Sequence, residues 1–408
     1  MSAVWLQVGQ CGNQIGQQWW QIITNTNQKE MYPFCSLDGK LSAISVDSEP
    51  KVVRRLQKQI KRKVFRESNL IVGKAGRGNN WAYGYHGVHS GNEQNLFSQT
   101  MEALRKEVER KDCYCGTVIF HSLSGGTGAG LSSRLCETIR EEYPLGRILS
   151  VSVVPHQSGE SSLQHYNSLL CLSWLQRYAD GVLLFHNDEV LKRVAALQEK
   201  EMAEASRQVS FASMNTYITS CLAGLLHPLR IFTTQSGISM GMEPWELLRS
   251  VCPIPALKFL HTAQSSTRES YLVVLATCSA EAVLAAVLLQ GKSPAQHRST
   301  ALLAVARGPQ EDSFILNHAL MLRKLKQAYR YPLSSLAPPD HHRHTLTICA
   351  NHSSSADFLQ RVEQRAKVMY KSGAFLHWYQ RHGCEGEEFG EAFETVRSVV
   401  KEYSHLAD

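Results

Sequence analysis

No run of about 18 apolar residues occurs in this 408-residue sequence, so no hydrophobic helix long enough to span a bilayer is expected. The most apolar stretch, Tyr271 to Gln290, is interrupted by Thr277, Ser279 and Glu281 and reads as a buried strand leading into a helix. The amino terminus lacks a basic flank ahead of an apolar run, and no secretory signal is expected. The 11 cysteines lack a repeated spacing, and Cys113 and Cys115 form a lone C-x-C without a partner pair. That pattern argues for reduced thiols in a cytosolic protein over a zinc site or a disulfide framework. Aromatic residues are sparse around the basic run of Arg54, Arg55, Lys58, Lys61, Arg62, Lys63 and Arg66, which excludes a stacking platform for single-stranded nucleic acid. The run reads as a solvated helix face, with acidic protein tails as the alternative partner and no nucleic acid expected.

Three catalytic signatures are also missing. A dinucleotide fingerprint would need glycine at Leu131. Gly291-Lys292-Ser293 resembles the end of a P-loop, but Ala286 stands where the first glycine is required. No G-x-S-x-G surrounds Ser122 or Ser124, so a hydrolase elbow is excluded.

What is present is an alternation of strand and helix patterns. Ala3–Val8, Ile44–Val46, Thr117–Leu123, Ile148–Val154 and Gly181–Phe185 read as strands. Ile15–Ile23, Glu93–Arg110, Leu131–Glu142, Leu163–Arg177 and Val209–Leu226 read as helices. This order predicts an α/β fold with a parallel sheet and crossover helices. Beyond the long helix the texture changes. Leu257–Leu260, Tyr271–Thr277, Ala301–Ala306 and Leu346–Cys349 are strand-like, and Phe358–Tyr370 and Glu387–Tyr403 are closing amphipathic helices. The expected units are residues 1–225, a smaller α+β unit 226–355, and carboxy-terminal helices 356–408.

Three glycine- and asparagine-rich turns follow candidate strands. They are Gly9-Gln10-Cys11-Gly12-Asn13-Gln14-Ile15-Gly16, Gly76-Arg77-Gly78-Asn79-Asn80-Trp81 and Ser122-Leu123-Ser124-Gly125-Gly126-Thr127-Gly128-Ala129-Gly130. In such a sheet, ligands bind beyond the carboxyl ends of the strands. Loops without side chains let backbone N–H groups close on phosphate oxygens, and the following helix adds its positive end. Three together predict a polyphosphate cradle.

In these motifs, in this order, the sequence resembles the tubulin superfamily, and the likeness spans nearly the whole chain. Within it, GNNWAYGY, the SGE turn and the QxYNS stretch resemble the delta-type and zeta-type tubulins of centrioles and cilia. The resemblance implies an amino-terminal GTP-binding domain, a long central helix, a smaller α+β domain and a carboxy-terminal helical hairpin. It implies GTP with Mg2+ as the bound group. Gln10 and Cys11 would lie under the phosphates and beside the base. Ser122, Gly126, Thr127 and Gly128 would line the phosphate loop. Asp47 and Glu49 would hold magnesium. Asn187 and Asn215 would read guanine's edge, offering both donor and acceptor. Phe211, one turn before Asn215, would stack on the base; otherwise it is a core aromatic. Gln164 stands where tubulins offer the ribose a carboxylate, with Glu160 as the substitute charge.

Glu246, six residues before Cys252-Pro253-Ile254-Pro255, falls where alpha-type chains place the acid that acts on a neighbouring subunit's nucleotide, with Glu243 close by. The plainer role for Glu246 is in the first turn of a helix opened by Pro244, where it favours the dipole. His341-His342-Arg343-His344 reads as a solvated loop. Two functions remain open at this stage. One is an assembly-coupled GTPase adding head-to-tail to tubulin subunits; the other is a GTP-holding structural component of centrioles or basal bodies. A metabolic nucleotide enzyme needs a base or nucleophile in a substrate pocket, and none is visible. The chain ends at His405-Leu406-Ala407-Asp408 without an acidic tail, and Leu260–Ser299 differs from the lateral loop of alpha and beta types. The expectation is an accessory subunit of the cytoplasmic cytoskeleton, at centrioles or ciliary bases, that forms no microtubules alone.

Overall fold

The computed structural model describes residues 3–25, 34–59, 64–87, 95–159, 161–198, 209–227, 244–267, 299–307, 328–329 and 344–405. Its centre is one sheet of ten strands: β1 (Ala3–Val8), β2 (Ala43–Asp47), β3 (Leu70–Val72), β4 (Gly116–Ser122), β5 (Arg147–Val154), β6 (Gly181–His186), β7 (Phe259–Thr267), β8 (Ser299–Arg307), β9 (Ala328–Tyr329) and β10 (His344–His352). Their spatial order is β3-β2-β1-β4-β5-β6-β7-β10-β8-β9. Pairing is parallel from β3 through β7, and β10 then runs antiparallel to both β7 and β8. Strands β1, β2 and β6 are buried along their whole length, as a parallel sheet covered on both faces requires.

Twelve helices accompany the sheet: α1 (Gly9–Asn25), α2 (Pro50–Gln59), α3 (Trp81–His86), α4 (Leu96–Glu109), α5 (Ser132–Glu142), α6 (Gln164–Tyr178), α7 (Asn187–Leu197), α8 (Phe211–Leu226), α9 (Pro244–Val251), α10 (Ser355–Lys371), α11 (Leu376–Gln380) and α12 (Gly386–His405). On one face, α3 to α6 pack with the carboxy-terminal α10 and α12 over Trp81, Tyr166, Trp174, Tyr379 and Phe389. On the other, α1, α8 and α9 enclose Trp5, Trp19, Trp20, Phe34 and Phe120. Trp5 stacks on Trp19 at 5.2 Å between ring centres.

The alternation of strand and helix read from the sequence is observed, with β9, α3 and α7 added and with further differences. Helix α1 starts at Gly9, at the very end of β1, so the expected glycine turn is the first helical turn itself. Strand β7 begins at Phe259 and runs on to Thr267, beyond the short Leu257–Leu260 segment. The sheet also continues from β6 to β7 across residue 225, with Val182 paired to Phe259. The strand expected at Tyr271–Thr277 and the run His341–Arg343 lie outside the described residues.

In the basic run, Arg54, Arg55 and Lys58 are exposed on α2, as a solvated face predicts, and Lys61, Arg62 and Lys63 lie outside the described residues. Arg66 departs from the pattern: it is largely buried, with Nη2 2.6 Å from Asp38 and Nη1 2.8 Å from the fully buried Glu107.

Candidate functional site

The carboxyl ends of four adjacent strands, β3, β2, β1 and β4, meet at one place. There the glycines serve as contact points between loops. Gly9 has φ +73°, and a Cβ on it would lie 2.8 Å from the Gly128 nitrogen. A Cβ on Gly126 would lie 2.6 Å from the Arg77 carbonyl oxygen, and one on Gly76 would lie 2.5 Å from Glu49 Oε1. The Ser48 and Thr127 hydroxyls are 2.7 Å apart and tie the acidic loop after β2 to the loop after β4. Thus the three glycine turns and the acidic turn close on one another, and at Gly9 and Gly126 backbone atoms leave no room for a Cβ.

Two helical starts point into this junction. The first amides of α1 follow Gly9 directly. After β4, residues Gly126–Leu131 form a wide helical turn leading into α5, and Gly125 before it offers no side-chain cap. Backbone N–H groups in such first turns have no intrahelical acceptor, and the helix dipole makes the spot electropositive. Gln10 is exposed at the head of α1 and Cys11 half-buried beside it. Asn13, one turn on, is fully buried and donates Nδ2 to the Gly9 and Val46 carbonyls at 2.8 and 2.9 Å.

Gly128 is also held from the strand side. A Cβ there would meet Ser122 Oγ at 2.7 Å, so the position faces β4 and keeps the loop seated on the strand. Ser122 is thereby the partner of Gly128, half-buried at the end of β4.

Asp47 is 4% exposed, and burial pushes its carboxyl up to about 6. Glu49 follows two residues on, exposed. Beneath the loop, His121 is buried, with Nε2 2.7 Å from Ser150 Oγ and 2.9 Å from Ser152 Oγ. Burial pulls its imidazole down to about 4 from 6.5. Because the folded value is the lower one, this histidine costs nothing above pH 6.5, and stability is lost as pH falls from there toward 4. The loss amounts to about 2–3 kcal/mol between pH 7 and pH 4.5. Urea unfolding at both pH values should show His121→Gln losing correspondingly less stability on acidification than the parent. An equal loss in the two proteins contradicts this assignment.

The candidate base-reading residues are distributed on two helices. Asn187 is the first residue of α7, at the end of β6, and is buried. Phe211 and Asn215 lie one turn apart on α8, capped by Ser210 and joined to α1 by Gln18 Nε2 donating to the Ala212 carbonyl at 3.1 Å. Phe211 is 62% exposed, so it is not a core aromatic. Gln164 opens α6, buried, with Nε2 3.3 Å from the His156 carbonyl. Glu160 and Glu243 lie outside the described residues.

Asn167, in the QxYNS stretch that the sequence reading placed among the ribose- and guanine-contacting loops, has a bonding role that the sequence did not show. It is fully buried in the first turn of α6. Its Nδ2 donates to the Asn79 carbonyl at 2.6 Å and the Ser124 carbonyl at 2.7 Å. Its Oδ1 accepts from the Trp81 amide at 2.8 Å and the Tyr379 hydroxyl at 2.6 Å. One amide therefore joins the second loop, the third loop and the carboxy-terminal region. It lies in the polar start Gln164-His165-Tyr166-Asn167-Ser168, just ahead of the apolar run that begins at Leu169.

Glu246 is far from this cluster. Helix α9 packs across the opposite ends of the strands: a Cβ on Gly116, the first residue of β4, would touch Trp245, and one on Gly181, the first of β6, would touch Leu248. The seven residues of β4 separate the two ends, a span of roughly 20 Å at about 3.3 Å per residue.

Among the described residues no cysteine forms a disulfide and no metal-holding cluster of three or more His, Cys, Asp or Glu occurs. No described helix is long and apolar enough to cross a membrane.

Comparison with known proteins gives two findings. Residues 2–195 match the Tubulin/FtsZ family, GTPase domain. Over 99% of its length the chain is 27% identical to the tubulin beta-1 chain of Suillus bovinus and to the tubulin beta chain of Schizophyllum commune, covering 95% of each. It is likewise 27% identical to the tubulin beta chain of Cicer arietinum, covering 94% of it. The mixed α/β architecture agrees with this likeness, and the matched segment contains β1 to β6 and all four converging loops.

Proposed function

We propose that this chain is a GTP-binding structural protein of the tubulin superfamily that contacts other tubulin subunits head-to-tail. The observation that carries the reading is the placement of two features at opposite ends of the same strands. The glycine-loop junction stands at the carboxyl ends, and the Glu246 helix stands at the amino ends. Stacked subunits present one to the other, and within a single chain they cannot meet.

The junction fits a nucleoside triphosphate. The free amides of α1 and of the turn at Gly126 would take the phosphates. Phe211 and Asn215, exposed and half-exposed one turn apart on α8, would take the base, with Asn187 completing its edge. Gln10, Cys11, Ser122, Thr127 and Gly128 would complete the cradle, with Glu160 toward the ribose. Asp47, buried with a raised carboxyl value, and Glu49 offer hard oxygens that fit a magnesium ion retaining several waters. Magnesium would supply charge neutralisation of the phosphates.

Asn215→Asp exchanges an amide donor for an acceptor and should weaken GTP binding by roughly 1–3 kcal/mol. Titration with GTP and ATP checks this; equal affinity of the parent for both nucleotides contradicts the guanine assignment.

The finer reading is an accessory or end-binding subunit, of delta or zeta type, at centrioles or basal bodies in the cytoplasm. Centriolar proteins are further expected partners. The GNNWAYGY and QxYNS stretches and the unusual Leu260–Ser299 segment support it. The second reading, assembly-coupled GTP hydrolysis with Glu246 and Glu243 serving a neighbour's site, rests on the same opposite-end placement. Sedimentation with GTP and magnesium tests both readings. The expected result is a monomer or short oligomer without tubes under the electron microscope, and turnover per chain that rises with protein concentration only if Glu246 meets a neighbour. Tubes of the pure protein contradict the accessory reading, and unchanged turnover in Glu246→Ala contradicts the catalytic one.

A further inference from the structure

A cavity of about 610 Å³ lies past the carboxyl ends of β5 and β6, between α6, α7, α8, β7 and α10. Its lining leaves out the three glycine loops, Asn187 and the Phe211–Asn215 face, and Gln164, the candidate ribose contact at the head of α6, is the one candidate site residue it shares. Its volume is that of a pocket for a small organic molecule.

His186, at the end of β6, is the polar centre of this cavity. It is 9% exposed, and its Nε2 is buried with no hydrogen-bond partner among the described residues. The ring is held rather than loose. It stacks on His261 at 5.5 Å and 14°, and Phe358 of α10 meets its edge at 4.8 Å and 87°. His261 in turn is fixed through Nε2 by Ser355 Oγ at 2.9 Å. An orphaned ring nitrogen in so ordered a wall costs stability unless a ligand meets it. Burial, and then the positive charge of Arg361, pull the His186 imidazole down to about 3, so it is neutral at pH 7 and serves as a hydrogen-bonding group.

The charge around it has one sign in excess. Lys192 and Arg193 from α7 and Arg361 and Arg365 from α10 line the cavity against two carboxylates, Asp188 and Glu189. Asp188 is already committed, with Oδ1 2.8 Å from His156 Nδ1 and Oδ2 2.8 Å from the Gln157 amide. The remaining wall is apolar or aromatic: Leu184, Val190, Tyr217, Phe358 and Val362. A guanidinium beside an apolar wall suits a planar carboxylate, which it can grip through two parallel hydrogen bonds.

We propose that this cavity is a ligand site, separate from the nucleotide junction, for a small monocarboxylate with an aromatic body, in which Arg361 supplies the charge and His186 Nε2 the buried polar contact. The aromatic body rests on the Phe358 and Tyr217 side, and the carboxylate faces α10.

The test uses 2-naphthoate as probe, with 2-naphthalenemethanol as its neutral counterpart, titrated calorimetrically into the full chain as purified. The carboxylate should bind about tenfold or more tightly than the alcohol, and Arg361→Ala should remove that preference. Arg361 is exposed, so its loss leaves the fold intact. His186→Phe should lower naphthoate affinity about tenfold. A saturating excess of GTP should leave naphthoate binding unchanged, which separates this site from the nucleotide reading. Equal binding of acid and alcohol, absence of binding, indifference to Arg361→Ala, or displacement by GTP would each overturn the proposal. Displacement of 2-naphthoate by an equal concentration of inorganic phosphate would overturn the carboxylate assignment.

Discussion

Asn167→Ala should destabilise the folded chain by about 3–5 kcal/mol and strip it of nucleotide affinity at the same time. The substitution removes four hydrogen bonds made by one fully buried amide, at 2.6, 2.7, 2.8 and 2.6 Å. Two carbonyls, one amide and one phenol hydroxyl lose this partner, and the bonds to the amide and the hydroxyl are buried. The cost is large because an abandoned buried group loses its full hydrogen bond without regaining solvent. Tyr379→Phe deletes only the last of these bonds and should cost about 1 kcal/mol. A double-mutant cycle of the two should show coupling, since Tyr379 has no Oδ1 to donate to once Asn167 is gone. Chemical unfolding and GTP titration of the single and double variants measure both effects. A folded Asn167→Ala chain that keeps its GTP affinity contradicts the claim that this residue holds the loops together.

Gly9→Ala should reduce nucleotide affinity by more than about hundredfold, or roughly 3 kcal/mol. The added methyl group meets two obstacles: a backbone at φ +73° that disfavours any Cβ, and the Gly128 nitrogen only 2.8 Å away. The second is the specific one, because it forces the first and third loops apart where both present free amides. Gly128→Val should act from the other side, pushing Ser122 Oγ from 2.7 Å and unseating the loop from β4. Gly39→Ala is the matched control. Its φ is +74°, yet nothing lies within 4 Å of a Cβ there. It carries the same backbone cost, about 1–2 kcal/mol, with no contact to the junction, and should leave GTP affinity unchanged. A folded Gly9→Ala protein with parental affinity shows that the junction is not the phosphate site.

The strand and helix alternation was legible because each parallel strand is a short apolar run followed by a polar turn and an amphipathic helix. The loops were legible as glycine-rich runs after candidate strands, whereas the close contacts that require glycine at Gly9, Gly126 and Gly128 lie between loops and strands distant in sequence. Other features depend on long-range partners. Asn167 bonds to Asn79 and Tyr379, 88 and 212 positions away. The Arg66 pair with Glu107 is 41 positions apart, which is why an arginine in a basic run could not be told from its solvated neighbours. Phe211 shows the reverse case. Local pattern alone favoured a core residue, and its exposure follows from where α8 meets α1. The cavity at His186 draws on seven elements at once and leaves no local mark in the sequence.

The central claim is that the loop junction holds a guanine nucleotide. The direct measurement is to purify the chain, denature it, and identify and count what is released by anion-exchange chromatography. The account predicts close to one guanine nucleotide per chain, GTP if the nucleotide is stored and GDP if it is turned over, and none from Gly9→Ala. An empty chain that fails to take up GTP with magnesium, or one that releases adenine nucleotide, would contradict it.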